Sequence, residues 1–387
     1  MTVEIPRAMA VTLQARAAAF PVLTVTGPRQ SGKTTLCRQS FGDLPYANLE
    51  RPDMRDFARE DPRGFLRGFA GGGVIDEVQR VPQLLSWIQV MVDERRPRRP
   101  LVLTGSHQID LMAEVSQSLA GRTALLHLLP LSMAELREAG LTLNPDELML
   151  RGGYPRIHAE GLDPSVVLAD YVATYAERDL RQVLALRHLE EFRRFLRLAA
   201  GRVGQLLNIH SLAVDAGVSD RTAREWLDVL EASYLVWRLR PWHENLGKRL
   251  IKSPKLYWCD VGLAAWLLGI RDVTQITTHP LRSALFENLA VIEFVKHAYN
   301  RGETPDLHFF RDSNGLEVDL VVGQGMPPGQ LGLVEVKSGM TLQSTWFKPL
   351  DDVATVLGPN RIGRRMLIHG GDDRLVRGGV EVVGLGA

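Results

Sequence analysis

The stretch Gly27-Pro28-Arg29-Gln30-Ser31-Gly32-Lys33-Thr34 fits the pattern G-x-x-x-x-G-K-[ST], and it constrains the chain more than any other. Before it lies Val22-Leu23-Thr24-Val25-Thr26, a short β-branched apolar run that predicts a buried parallel strand. After it, Thr34-Thr35-Leu36-Cys37-Arg38-Gln39 can open a helix. A strand, a glycine-rich turn and a helix in that order make a phosphate cradle. The glycines let backbone N–H groups converge on phosphate oxygens, and the helix N-terminus adds partial positive charge. Gly27, Pro28, Arg29, Gln30, Ser31, Gly32, Lys33, Thr34 and Thr35 are the expected nucleotide contacts. Lys33 would reach the β- and γ-phosphates and Thr34 would hold Mg²⁺, so the expected cofactors are ATP and Mg²⁺.

Strand patterns recur at Tyr46–Leu49, Val74–Asp76 and Leu101–Thr104, with helical stretches between them. Alternation of this kind predicts a parallel α/β sheet. Val74-Ile75-Asp76-Glu77 reads as a strand ending in two acids, as in a Walker B element, although Gly71-Gly72-Gly73 leaves only two apolar residues before Asp76. Asp76 would hold Mg²⁺, directly or through water, and Glu77 would orient or deprotonate the attacking water. Thr104 or Ser106 would sense the γ-phosphate or position water; the plainer reading is a strand-to-helix cap. Arg122 would supply positive charge in the transition state, or is simply solvated. The cluster Arg95-Arg96-Pro97-Arg98-Arg99 reads as an exposed loop.

From Leu131 to about Phe192 the pattern is helical, with a turn at Gly152-Gly153-Tyr154-Pro155 and a charged helix that includes Arg178 and Asp179. Ile209–Ala216, a turn at Gly217 and a helix capped by Ser219 have helix-turn-helix spacing. The apolar run Tyr234–Leu239 then predicts a strand, which makes a winged helix. Arg221 and Arg224 lie near the start of the second helix, where DNA contacts are made. Between 193 and 256, twelve Lys/Arg stand against six Asp/Glu, although the whole chain carries only +1. That local excess suits phosphate, but winged helices also bind proteins.

The helix Ser283–Asn300 carries Glu287 among Ala284, Ala290, Val291 and Phe294, its apolar neighbours at helical spacing. A lone carboxylate there costs several kcal/mol unless it is paired or metal-bound. Asp319 on one predicted strand, with Glu335 and Lys337 two apart on another, are the expected companions. Glu287, Asp319 and Glu335 could share a divalent ion, with Lys337 steadying a scissile phosphate. The plainer alternative is a Glu287–Lys337 ion pair with Asp319 elsewhere.

These marks, with Ser118–Arg122, Lys255-Leu256-Tyr257, Asp260, Gly262 and Leu285-Phe286-Glu287-Asn288, run nearly the full length. The chain resembles a prokaryotic family of AAA-type ATP-binding proteins whose C-terminal half is a domain of unknown function with a restriction-endonuclease-like, PD-(D/E)xK fold. The resemblance implies an α/β P-loop domain over 1–130, a helical lid or linker over 131–192, a winged helix over 193–256 and a nuclease-like α/β domain over 257–387. The leading reading is an Mg²⁺-dependent ATPase coupled to DNA binding or cleavage. Two alternatives stay open. One is an ATP-switched protein-interaction module with an inactive nuclease-like domain. The other is a DNA-binding regulator whose nucleotide site is only structural. Homo-oligomers are compatible with either.

The two cysteines, Cys37 and Cys259, lie far apart without metal-ligand spacing, which suggests a reducing cytoplasm. The N-terminus shows no signal pattern, and the most apolar helical run, Gly262–Ile270, is too short to span a bilayer.

Overall fold

The computed structural model describes residues 3–94, 97–106, 118–176, 189–242 and 252–385. Arg95, Arg96, Arg178, Asp179, Lys248 and Arg249 lie outside the described residues.

The N-terminal sheet has five strands: β1 (Val22–Thr26), β2 (Tyr46–Asn48), β3 (Gly73–Asp76), β4 (Leu101–Gly105) and β5 (Thr123–His127). Their spatial order is β2-β3-β4-β1-β5, with every neighbouring pair parallel. Strand β5 is an addition to those expected from sequence. Period-two alternation divides the sheet between two cores. Val22, Ile75, Leu101 and Leu103 pack on one face, and Leu23, Val25, Val74 and Val102 on the other. Helices α1 (Met9–Ala19), α2 (Lys33–Ser40) and α3 (Leu84–Glu94) cover these faces.

The second sheet has eight strands in the order β12-β13-β11-β10-β9-β8-β6-β7. They are β6 (Val236–Pro241), β7 (Lys255–Trp258), β8 (Leu307–Arg311), β9 (Glu317–Val322), β10 (Leu331–Lys337), β11 (Ile362–His369), β12 (Arg374–Arg377) and β13 (Val380–Gly384). The helices that share a core with this sheet include α4 (Pro145–Arg151), α5 (Leu189–Ala200), α6 (Ile209–Ala216), α7 (Asp220–Ala232), α8 (Val261–Leu267) and α9 (Arg282–Asn300). Asn208 caps α6 and Ser219 caps α7, each accepting a backbone N–H three residues on. Gly217 ends α6 at φ 73°, a left-handed turn that glycine adopts without steric cost.

The expected boundary after residue 256 falls inside β7. Antiparallel β6–β7 is one hairpin, and β6 also pairs in parallel with β8 through Arg240–His308 and Pro241–Phe309. One apolar core runs from Leu129 through α5–α9 to Ile368, so the helical middle and the C-terminal sheet are packed as one body.

The first sheet is tied to that body beneath the P-loop. The Tyr234 hydroxyl lies 2.7 Å from Thr26 Oγ1 and 2.5 Å from His127 Nδ1. The His127 ring also sits 4.9 Å from that of Tyr299 on α9. No described helix is long and apolar enough to cross a membrane.

Candidate functional sites

The turn from β1 to α2 forms the floor of a cleft of about 770 Å³, lined by Arg29, Gln30, Gly32, Lys33, Thr34 and Thr35. A side chain at Gly27 would come within 2.1 Å of the Leu128 carbonyl oxygen, and φ is +148° there, so glycine is required. Lys33 is buried, and its Nζ donates to the carbonyls of Gly27 (3.0 Å) and Pro28 (2.8 Å). Burial pushes its pKa down to about 8, against the pull of Glu77 and Asp76. The Ser31 hydroxyl is buried without a hydrogen-bond partner among the described residues. That is an orphan of the kind a phosphate oxygen would satisfy.

Asp76, at the carboxyl end of β3, gathers three hydroxyls. Thr34 Oγ1 and Tyr46 OH each donate to Oδ2 at 2.8 Å, and Thr104 Oγ1 donates to Oδ1. Glu77 follows in a left-handed conformation (φ 58°, ψ 46°), uncommon outside glycine. Its carboxylate accepts from Gln79 Nε2 and, at 3.3 Å, from Ser106 Oγ. Lys33, Thr34, Asp76, Glu77 and Ser106 therefore stand together at the carboxyl edge of the sheet. Thr34 and Asp76 suit a hard cation by donor type.

Arg122 does not join them. It precedes β5 at the amino end of the sheet, whereas the P-loop leaves from the carboxyl end of β1, and Val22 pairs with Thr123. Its guanidinium makes a two-pronged contact with Asp93 at 2.6 and 2.7 Å. A role for Arg122 on a nucleotide bound to its own chain is corrected by this geometry.

Several cleft residues carried no recognisable signal. Arg7 donates to the Ser31 carbonyl (2.6 Å), the Leu129 carbonyl (2.7 Å) and Glu135 (2.9 Å), bracing the P-loop from α1's side. Val3, Ile5, Pro155 and Arg156 wall the cleft from the N-terminal segment and from the Gly152–Pro155 turn. That turn is held by Asp260, which accepts from Gly153 N at 2.6 Å and caps α8 through Leu263 N. Burial raises the Asp260 carboxyl above its ordinary range, against its backbone donors.

A second cavity, about 700 Å³, is lined by Lys255, Glu287, Arg311, Glu317, Asp319, Glu335 and Lys337 among others. Fully buried Asn288 places Glu287 there: its amide accepts from Trp258 N (2.6 Å) and donates to Trp258 O (2.9 Å), pinning α9 to β7. Alternation along β7 turns Lys255 and Tyr257 to one face. Both meet Glu287 Oε1, at 2.9 Å and 2.5 Å. Lys255 Nζ also lies 2.5 Å from Glu317 Oε1 and 3.6 Å from Asp319 Oδ1. Asp319 Oδ2 accepts from Val336 N at 2.8 Å, and Lys337 Nζ pairs with Glu335 Oε1 at 2.5 Å.

Glu287, Asp319 and Glu335 thus line one cavity. Among the described residues, however, no three histidine, cysteine, aspartate or glutamate side chains are placed to hold one metal ion. The cation that meets Glu287 is Lys255, whereas Lys337 meets Glu335. Burial and then Asp319 push Glu287 up to about 7, against Lys255. Burial and then Asp319 push Glu335 up to about 8, against Lys337. Burial works against charge on Lys255, but Glu287, Asp319 and Glu317 outweigh it and raise its pKa.

On α7, Arg221 is exposed and pairs with Glu225 at 2.9 Å, and Arg224 is exposed as well. Of the basic residues counted over 193–256, Arg193, Arg202, Arg221, Arg238 and Lys255 are ion-paired within the chain. Arg193 and Lys255 pair with acids outside that stretch, Glu190 and Glu287, so the local excess is smaller than the sequence count implies.

Two curated mycobacterial proteins, uncharacterized protein Rv2008c of Mycobacterium tuberculosis and uncharacterized protein Mb2031c of Mycobacterium bovis, are each 36% identical over 314 residues. The match covers 80% of this chain and 69% of each of theirs. The chain belongs to the family of these proteins. An uncharacterized protein of Haemophilus influenzae is 24% identical over 317 residues, 72% of this chain and 75% of its own. Residues 19–137 match an AAA domain, 143–274 a domain of unknown function (DUF8612) and 282–387 another (DUF4143).

Among solved structures, the Walker-type ATPase paby2304 of Pyrococcus abyssi is 15% identical, with a TM-score of 0.46 over 67% of this chain and 94% of that one. AMPPCP-bound DnaA from Aquifex aeolicus is 14% identical, with a TM-score of 0.29 over 57% and 85%. Neither likeness is strong enough to transfer a function. In this family member the AAA domain holds the whole P-loop constellation. The second cavity is shared: Lys255 comes from the middle region, and Glu287, Glu317, Asp319 and Glu335 come from the last.

Proposed function

We propose that this protein is an Mg²⁺-dependent ATPase whose nucleotide cycle is coupled to a helix-turn-helix unit that contacts DNA. The observation that carries the ATPase reading is the 2.8 Å contact from Thr34 Oγ1 to Asp76 Oδ2, beside buried Lys33 and with Glu77 next in sequence. Thr34 and Asp76 would hold the Mg²⁺, whose charge offsets that of the phosphates. Lys33 would exchange its two carbonyl partners for β- and γ-phosphate oxygens, which restores the charge that burial disfavours. Glu77 would take a proton from the attacking water, its carboxylate oriented by Gln79 and Ser106. Arg7, Val3, Ile5 and Pro155 would close around the rest of the nucleotide.

The test uses a fluorescent ATP analogue for binding and phosphate release for turnover. Lys33→Ala should keep the circular dichroism of the wild type and lose both affinity and turnover. Unchanged nucleotide affinity in that variant would overturn the assignment.

DNA contact is supported by exposed Arg221 and Arg224 at the start of α7 and by the helix, short-bridge, two-helix, hairpin order that ends in β6–β7. This order suits a winged helix. The C-terminal sheet, with Glu287, Asp319, Glu335 and Lys337 around one cavity, suits a nuclease-like fold. A second reading, an ATP-switched module with an inactive nuclease-like domain, is favoured by one observation. Lys255, not a free coordination position, lies between Glu287 and Glu317. Supercoiled-plasmid cleavage with Mg²⁺ or Mn²⁺, with and without ATP, separates the two.

A further inference from the structure

We infer that Lys255 is a built-in cation of the second cavity. Its ammonium occupies the place among Glu287, Glu317 and Asp319 that a divalent ion would need, and it latches β7 to α9 and β9 without metal. The distances carry the first half. Nζ lies 2.9 Å from Glu287, 2.5 Å from Glu317 and 3.6 Å from Asp319. An oxygen-bound Mg²⁺ needs ligands at about 2.0–2.1 Å, and it cannot share that space with an ammonium group.

The amine is also anchored. The Lys255 side chain is only 4% exposed. Its strand pairs with β6 and is bridged to Leu206, and the Phe309 ring lies 5.6 Å from Nζ. Swinging it out would strand three carboxylates in a half-buried cavity without their counter-charge. Charge balance points the same way. Lys255, Arg311 and Lys337 face Glu287, Glu317, Asp319 and Glu335, with Arg311 3.0 Å from Glu317 and Lys337 2.5 Å from Glu335. Three cations against four carboxylates leave no demand for two further positive charges. What remains is one orphan, Glu335 Oε2, buried without a hydrogen-bond partner among the described residues.

The latch joins two regions. Lys255 lies on the hairpin that closes the α5–α7 unit, whereas its partners lie on α9 and β9. Removing the amine charge should therefore expose a latent cation site and loosen that junction. The site is independent of the nucleotide cleft, so nucleotide is left out of the test.

Mn²⁺ is titrated into the full-length chain, and the free ion is read by electron paramagnetic resonance. Wild type and Lys255→Arg should leave the Mn²⁺ free. Lys255→Met should bind one ion per chain at least about tenfold more tightly than wild type. Adding Asp319→Asn should abolish that gain. Lys255→Met should also melt at a lower temperature in chelator and recover when Mn²⁺ is added. A folded Lys255→Met that takes up no Mn²⁺ overturns the inference. So does a wild-type chain that binds one Mn²⁺ and loses it with Asp319→Asn. This last comparison decides the matter even if Lys255→Met does not fold.

Discussion

Replacing Glu287 with Gln should flatten the dependence of stability on pH. In the folded chain the Glu287 carboxyl is pushed up to about 7 from an ordinary 4.5, first by burial and then by Asp319, against Lys255 and Tyr257. A carboxyl raised by folding holds its proton longer in the folded state than in the unfolded one. Its contribution is therefore fully present below the unfolded pKa, and it is lost as pH rises through the folded value. Each pKa unit is ~1.4 kcal/mol, so this group should withdraw about 3 kcal/mol of stability between about pH 5 and about pH 8. Glutamine keeps the size of the side chain and has no proton to lose. Urea unfolding followed by tryptophan fluorescence, at several pH values across that window, measures the effect. Trp258, pinned by Asn288, lies beside the substituted residue. The Gln variant should gain on wild type by about 3 kcal/mol from the acid end to the alkaline end, with Glu335 supplying the slope that remains. Parallel profiles for the two proteins would refute the placement of Glu287.

Other expected outcomes follow from the same geometry. Glu77→Gln should bind ATP as wild type does and lose phosphate release by ~10²-fold or more, read in single turnover; normal turnover would move water activation elsewhere. Thr34→Ala should weaken Mg²⁺-ATP more than ATP in chelator, because the hydroxyl that meets Asp76 is gone; equal losses in both conditions would contradict the Mg²⁺ role. Arg221→Glu with Arg224→Glu should weaken DNA binding and lower the log–log salt slope by about 2, without touching ATP hydrolysis measured in the absence of DNA. An unchanged slope would assign α7 to a protein partner. Arg122→Ala should leave turnover intact in dilute protein, since its ion pair with Asp93 sits at the far end of the sheet. A tenfold or greater loss there, ~1.4 kcal/mol in the barrier, would contradict that placement.

Much of the nucleotide cleft was legible in the residues themselves. Gly27–Thr34 is contiguous, and its strand–turn–helix context is local, so covalent order alone brings Lys33 and Thr34 to one place. Asp76 and Glu77 were legible for a related reason: in a parallel sheet, acids at strand ends meet at one edge. The need of Glu287 for a partner was also legible, because helical spacing surrounds it with apolar residues. Its partner was not. Lys255 lies 32 residues away on a strand whose place is set by Asn288 clasping Trp258 and by pairing with β6. Helix periodicity reaches only neighbours on the same helix, so it shows that Glu287 needs a partner without showing which. Arg122 lies at the opposite end of the sheet from its own chain's P-loop, which a motif cannot show because it carries no strand direction; the parallel register of Val22 with Thr123 shows which end it occupies. The basic excess over 193–256 shrank because Lys255 pairs with Glu287 and Glu317, acids outside that stretch that only the fold brings to it. Local spacing decides what a side chain requires, and the long-range packing of α9 against β7 decides which charge meets that requirement.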